Sequence, residues 1–118
     1  MLAVVLGAFG AHALKDRLEP SALEVFRTGA TYQFFHGIAL ICIGIASLNT
    51  VQKLFSVCAW LFVVGIVIFS GSLYALALSD HNWFGAITPL GGLCFISGWI
   101  CAAVAFSKVA SRSEVEAS

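Results

Sequence analysis

The chain has 118 residues, of which 60% are hydrophobic and only 10% are charged, and its formal net charge is zero. Without a basic surface to hold phosphates, a nucleic-acid partner is not expected. A soluble domain of this length could not bury so much apolar surface, because small domains hide only part of their chain. The composition therefore indicates a membrane protein.

Three long stretches contain no Asp, Glu, Lys or Arg, and they separate Arg27, Lys53, Asp80 and Lys108 in turn. Each is longer than the ~20 residues with which a helix crosses a hydrocarbon core of ~30 Å. A further uncharged stretch opens the chain. The sequence therefore predicts an all-α fold, an integral membrane four-helix bundle forming a single domain over residues 1–107, with helices at about 1–14, 29–48, 54–78 and 88–107.

The first of these helices is short, since residues 1–14 at ~1.5 Å each reach only about 21 Å. We consider a signal peptide, a half-spanning or re-entrant helix, and a spanning helix whose beginning is missing from this chain. A signal peptide would carry Lys or Arg before its apolar stretch, and none is present. Ala3, Gly7 and Ala11 recur every four positions and make a close-packing face. This pattern favours a packed helix that is short or truncated.

The segment between the first two helices, Lys15 to Thr28, is amphipathic. Pro20 and Ser21 can begin a short helix at the water–lipid boundary, and an ordinary solvated connection is the alternative. Polar turns are expected after the second helix, at Asn49–Lys53, and after the third, at Ser79–Asn82.

Proline suits a first helical turn, so the fourth helix is expected to begin near Thr88 and Pro89. It is expected to end near Ser107. Residues 108–118 are polar and predict a flexible tail.

Tyr32, Gln33 and His36 are the best candidates for an internal polar site. They share one helix face, and polar groups inside a membrane usually face the bundle interior. If His12 faces them from the first helix, two imidazoles converge. Three interpretations stay open: a hydrogen-bonded contact of ~1 kcal/mol that locks helices one and two, a proton or ligand site, and haem or metal binding by His12 and His36.

Two further clusters combine hydroxyl groups with glycine. Ser70 and Tyr74 are four residues apart and share a helix face, and their hydroxyls can bond between helices or back to the preceding turn. Thr88 and the glycines after Pro89 weaken a helix at its start, which suits either tight packing or a transport site. The residues predicted to pack closely between helices are Gly7, Gly10, Ala11, Gly71, Gly91, Gly92 and Gly98.

Motifs of known chemistry are missing from the sequence. It has no H-E-x-x-H zinc motif, no phosphate-binding glycine loop and no serine nucleophile elbow. No Asp or Glu lies in the second, third or fourth apolar run, which argues against a pump with a buried carboxylate. The four cysteines lie in these runs as small apolar residues. We therefore predict no enzymatic activity, no cofactor and no metal.

Four stretches together resemble one family: GAFGAHAL at Gly7–Leu14, TGATYQFFH at Thr28–His36, FSGSLYALAL at Phe69–Leu78 and TPLGGLCFISGW at Thr88–Trp99. This is the YgdD-like family of small multi-pass bacterial inner-membrane proteins, classed as a domain of unknown function. The resemblance covers the chain from Leu2 to about Phe106 and implies a four-helix membrane fold. Family members usually carry further apolar residues before GAFGAH, which favours a shortened start here.

Orientation is not decided by charge, because the two sides carry equal numbers of Lys and Arg. The resemblance favours a location in the bacterial inner (plasma) membrane with both termini in the cytoplasm. The function expected is a structural or accessory role through helix–helix contacts with a second copy or a membrane-protein partner. The other partners expected are the membrane lipids. The alternatives are a small oligomeric channel or carrier for a proton, neutral solute or lipid, and a haem or metal protein.

Overall fold

The computed structural model describes residues 1–48, 53–79 and 81–117, with side chains to residue 111. All regular structure in these ranges is helical, which confirms the predicted all-α fold and its four helices. The helices are α1 (Leu2–His12), α2 (Pro20–Leu48), α3 (Lys53–Leu78) and α4 (Phe84–Ala117). Residues 49–52 and Asp80, where parts of the two polar turns are predicted, lie outside the described residues.

Three of the helices are long and apolar enough to cross a membrane: α2, α3, and α4 from Phe84 to Ser111. Helix α1 has 11 residues, which at ~1.5 Å each reach about 16 Å and do not cross a ~30 Å core. The short first helix predicted from the sequence is therefore confirmed, within residues 2–12.

Helix α2 begins at Pro20, nine residues before the predicted start of the second span. Its first turn is closed by a hydrogen bond from the Leu23 N–H to the Glu19 carbonyl at 3.0 Å. Nothing after Pro20 breaks the helix, and Leu23 and Phe26 are buried as part of it. The separate interfacial helix predicted within residues 15–28 is thus wrong, because that segment continues directly into the span.

Helix α3 contains one irregular turn, a π-helical turn from Ile66 to Ser70. The Gly71 N–H closes it on the Ile66 carbonyl, five residues back. A π turn holds one residue more than an α turn, so the faces of α3 after Ser70 are rotated relative to those before it. The hydropathy pattern of this all-apolar run contains no signal for the irregular turn.

Helix α4 differs from its prediction at both ends. It begins at Phe84, and the first three N–H groups of the helix donate to the carbonyls three residues before them. Pro89 therefore lies inside the helix, where it has no N–H to donate to the Gly85 carbonyl. It continues to Ala117, so the predicted tail at 108–118 is corrected to a helical extension through residue 117. Residues 108–117 contain no Gly or Pro, the two strongest helix breakers.

Two buried clusters hold the bundle together. The larger joins α2, α3 and α4 around Phe55, Phe62 and Phe95. The smaller joins the α1–α2 connection, the first half of α2 and the end of α3 around Phe26. Large apolar side chains also cover much of the outer surface, as expected for helices that face lipid rather than water.

Candidate functional site

His36 is buried near the middle of the bundle, and both of its ring nitrogens are hydrogen-bonded. Its Nδ1–H donates to the Tyr32 carbonyl at 2.8 Å, and its Nε2 accepts from the Trp99 indole N–H at 3.2 Å. A carbonyl only accepts and an indole nitrogen only donates. These two partners therefore require the neutral imidazole with its proton on Nδ1.

Aromatic rings surround this imidazole. The His36 ring stacks on Phe95 with ring centroids 3.5 Å apart and planes 10° apart, and it contacts the Phe62 ring at 5.5 Å. Tyr32 lies one turn earlier on α2, and its ring packs on Phe69 of the π turn at 4.6 Å. His36 thus lies in an apolar aromatic setting that adds packing to its two hydrogen bonds.

Gln33 is bonded to the next helix. The Tyr74 hydroxyl of α3 donates to the Gln33 side-chain oxygen at 2.7 Å, and the Tyr74 ring packs on Phe26 at 4.7 Å. Gln33 and His36 therefore serve different partners, although both belong to the same predicted site.

A third bond connects α3 to α4. The hydroxyls of Ser72 and Thr88 lie 2.8 Å apart. Ser72 also bonds the Phe69 carbonyl at 2.9 Å. The Thr88 hydroxyl has a carbonyl acceptor too, Phe84 of its own helix, at the longer distance of 3.4 Å. Each hydroxyl has one proton, and the shorter distances favour Ser72 donating to the Phe69 carbonyl and accepting from Thr88.

Ser70 differs from these paired residues. Its side chain is 1% exposed, and its hydroxyl has no hydrogen-bond partner within the described part of the chain. Of the two hydroxyls predicted to bond between helices, that of Tyr74 does so and that of Ser70 does not, and the neighbouring Ser72 makes the second bond of this region.

The three side-chain bonds join three different helix pairs: Gln33–Tyr74 joins α2 to α3, Ser72–Thr88 joins α3 to α4, and His36–Trp99 joins α2 to α4. The polar site predicted as one cluster is distributed over these three contacts. The predicted lock between the first and second helices is wrong, because these polar residues link α2, α3 and α4.

His12 lies far from His36. It is exposed at the end of α1, two residues after Gly10, which packs on the Phe26 ring. Phe26 precedes His36 by ten residues, or about 15 Å along α2. The other end of α1 lies beside Gln33 in a shared cavity, so α1 runs antiparallel to α2 and His12 points away. The alternative in which His12 and His36 bind one haem or metal together does not fit this arrangement, because the helices keep the two rings apart.

The predicted packing glycines fall into two groups. At Gly91, an added Cβ would lie 2.4 Å from the Phe69 backbone nitrogen, and at Gly98 it would lie 2.7 Å from the Phe62 ring. At Gly10 the corresponding distance to the Phe26 ring is 2.9 Å. These three positions therefore allow helices to approach closely, and Ala11 beside Gly10 is half-buried.

The other three glycines do not make such contacts. Among the described residues no neighbouring atom lies within 4 Å of a Cβ added at Gly7 or Gly71, and at Gly92 the nearest is 3.9 Å away. The predicted close approach is therefore wrong at Gly7 and Gly71, where the space beside the glycine is open, and at Gly92, where a Cβ would make only an ordinary contact with Phe69.

Sequence reasoning missed Trp99, Gly65 and Gly29. A Cβ at Gly65 would lie 2.5 Å from the Phe95 ring, and one at Gly29 would lie 3.0 Å from the Tyr74 ring. A lone glycine inside a helical run costs about 1 kcal/mol, so it often marks a packing contact. That signal was available for both glycines, whereas nothing in the sequence pairs Trp99 with His36.

All four cysteines are free thiols, and Cys58 is fully buried between α3 and α4. Within the described residues, no three His, Cys, Asp or Glu side chains come together as a metal site would require. The arrangement offers polar pairs that hold helices together, and among the buried polar side chains of the described residues Ser70 is the one without a partner.

Three helices of spanning length, an apolar exterior and internally paired polar groups define a small multi-pass helical membrane protein. A family described as "Protein of unknown function (DUF423)" matches residues 6–92. A UPF0382 membrane protein of Staphylococcus epidermidis is 46% identical over 110 residues, covering 93% of this chain and 89% of that protein. The UPF0382 membrane protein YwdK of Bacillus subtilis is 42% identical over 116 residues, covering 92% and 89%. A UPF0382 membrane protein of Haemophilus influenzae is 45% identical over 112 residues, covering 93% and 86%.

The chain therefore belongs to the DUF423 family and is a multi-pass membrane protein. No solved structure matches it.

Proposed function

We propose that this protein is a structural or accessory component of the membrane, which acts through contacts of its helices with a second copy or with another membrane protein. One observation carries this proposal: three hydrogen bonds between polar side chains, Gln33–Tyr74, Ser72–Thr88 and His36–Trp99, connect all three pairs of long helices. Such bonds stabilise a bundle by about 1 kcal/mol each. They leave the large apolar outer faces as the surface through which the protein meets lipids and partners.

A channel or carrier would place polar groups along an open path. Here Phe55, Phe62 and Phe95 fill the space between the helices, and His36 has both nitrogens engaged. A haem or metal ligand would have to displace the Trp99 N–H from His36 Nε2. The proposal therefore includes no enzymatic activity, no transport and no cofactor.

We also place the protein in the bacterial inner membrane, in the YgdD-like group, with both termini in the cytoplasm. Its relatives are bacterial proteins named membrane proteins. Helix α1 runs antiparallel to α2, and α4 runs antiparallel to α3, so the start of α1 and the end of α4 point towards the same side. Basic residues lie at both ends of the bundle, so the choice of the cytoplasm for this side rests on the family resemblance.

The test compares the wild type with His36→Ala, using His81→Ala as the matched control because His81 is an exposed loop residue. Each protein is extracted gently from its own membrane and examined by native mass spectrometry, absorption spectroscopy and proton flux in liposomes. We expect a colourless, non-conducting protein that carries a second copy or a partner protein. We expect His36→Ala to unfold more readily, and His81→Ala to behave as wild type.

Three results would contradict the proposal. A haem absorption band lost in His36→Ala would make this a cofactor site. Proton flux lost in the same variant would make it a transport site. A monomer that associates with no protein, extracted repeatedly under mild conditions, would remove the accessory role.

A further inference from the structure

A groove of about 440 Å³ runs along the outside of the bundle between α2 and α4. Its floor is Phe62 of α3, which is fully buried, and its rim includes Phe35 and Trp99, which are 60% and 51% exposed. The groove therefore opens sideways, towards the lipid that surrounds a membrane protein, and not towards the ends of the helices alone.

The wall of this groove offers almost nothing to a polar ligand. Its polar ring nitrogens belong to His36 and Trp99, and the Trp99 N–H donates to His36 Nε2. The remaining proton of His36 is donated to the Tyr32 carbonyl. A ligand with carbonyl or hydroxyl groups would find no free hydrogen-bond donor on these two side chains. The groove therefore suits a hydrocarbon ligand.

The length of the groove along α4 is close to the thickness of the hydrocarbon layer of one leaflet. Along α4 its lining extends from Trp99 to Phe106, and the first charged residue beyond it is Lys108. Nine residues from Trp99 to Lys108 span about 14 Å, close to half of the ~30 Å hydrocarbon core. A single acyl chain that starts at the level of Lys108 would end beside His36.

The charges at the open end of the groove favour one type of headgroup. Lys53 begins α3 and Lys108 lies near the end of the membrane span of α4, and both are exposed. Their helices meet there, since the rings of Phe55 and Phe106 lie 5.2 Å apart. The nearest acidic residue in sequence, Glu114, follows Lys108 by six positions, or about 9 Å along the helix. Basic residues next to a membrane attract anionic lipids.

We propose that the α2–α4 groove is a binding site for one anionic phospholipid, with an acyl chain lying between Phe35 and Phe106 and the headgroup at the level of Lys53 and Lys108. The aromatic wall holds the chain, and the two ammonium groups select the headgroup charge.

The test uses the full chain in nanodiscs that contain equal amounts of phosphatidylglycerol and phosphatidylethanolamine. After transfer to mild detergent, native mass spectrometry records the retained lipid. Cys42→Trp fills the groove, because Cys42 lies in its wall and is exposed. Ile45→Trp is the matched control, since Ile45 is an exposed residue of α2 outside the groove.

We expect the wild type and Ile45→Trp to retain one phosphatidylglycerol, and Cys42→Trp to lose it. Lys53→Gln with Lys108→Gln should keep a lipid but lose the preference for phosphatidylglycerol, while Lys15→Gln with Arg17→Gln at the opposite end should keep that preference. Melting curves of each variant show that it is folded.

Equal retention by the two tryptophan variants would overturn the groove as the site. Equal retention of the two phospholipids by the wild type would overturn the selection by charge. A dimer that Cys42→Trp dissociates would show that a second copy occupies the groove, and would also overturn the proposal.

Discussion

Gly91 is the position at which the smallest change should disturb the bundle most. It lies against the π turn of α3, where an added Cβ would be 2.4 Å from the Phe69 nitrogen and 2.7 Å from its Cα. Both atoms belong to the backbone, so no side-chain rotation can make room. The substitution Gly91→Ala must therefore push α4 away from α3.

The cost follows from these distances. Carbon atoms attract best at about 3.5–4.0 Å, so α4 has to move by about 1 Å. A gap of that size forfeits roughly a quarter to a half of each dispersion contact. The neighbouring contacts of Gly65 with Phe95 and of Gly98 with Phe62 lie on the same interface. Overpacking typically costs about 1–3 kcal/mol, and the better helix propensity of alanine returns up to about 1 kcal/mol. With the full gain in propensity the net loss is up to about 2 kcal/mol, and Gly91→Ala should be about 1–3 kcal/mol less stable than a Gly→Ala variant whose added Cβ has room.

The measurement is the free energy of unfolding, obtained by titrating sodium dodecyl sulfate into mixed micelles and following circular dichroism. Gly92→Ala is the matched control, because its added Cβ would lie an ordinary 3.9 Å from the Phe69 ring. It should be neutral or gain up to about 1 kcal/mol. If Gly91→Ala proves as stable as Gly92→Ala, the close approach of α3 and α4 at the π turn is refuted.

Three further predictions concern the polar contacts. A double-mutant cycle of Tyr74→Phe with Gln33→Leu should give a coupling energy of about 0.6 kcal/mol and no more than about 1.7; strictly additive effects on unfolding would show that the bond is absent. Ser70→Ala should leave the unfolding free energy unchanged or raise it by up to about 1–3 kcal/mol, because it removes a buried hydroxyl without a partner; a clear destabilisation would reveal a partner for that hydroxyl. Trp99→Phe should lower the unfolding free energy by about 1–3 kcal/mol, because it leaves His36 Nε2 without its donor; nitrogen NMR of His36 that is identical in both proteins would argue against the bond.

The sequence predicted the spans well wherever charge and turn residues mark them. The end of α3 at Leu78 falls where its apolar run meets polar residues, and the described part of α2 extends through Leu48, the last residue predicted for that span. The predictions failed where the boundary of a helix was inferred from the preference of proline for helix starts and not from hydropathy. A helix begins at Pro20 as expected, but it runs uninterrupted into the membrane span instead of forming a separate short helix. Pro89 was expected to begin the fourth helix, whereas it lies within α4, which begins at Phe84.

For the candidate site, the sequence predicted the right kinds of residue and the wrong partners. Gln33 and His36 were selected as polar residues in an apolar run, and each bonds a different helix. Trp99 had no signal at all, since a tryptophan in a membrane span is compatible with lipid, an interface or the interior.

What the sequence determined by itself is the class of protein and the approximate ends of its membrane spans. Hydropathy, charge and turn residues are local properties, and the transfer of a long uncharged run into hydrocarbon depends on little else. The tertiary structure alone decided which faces of the helices meet. A helix that is apolar on every side has no polar face whose position would indicate which side turns inward. In α3, the π turn also shifts the faces that follow it. The partners of His36, Gln33 and Gly91 therefore depend on how three helices pack together, and no single stretch of sequence contains that information.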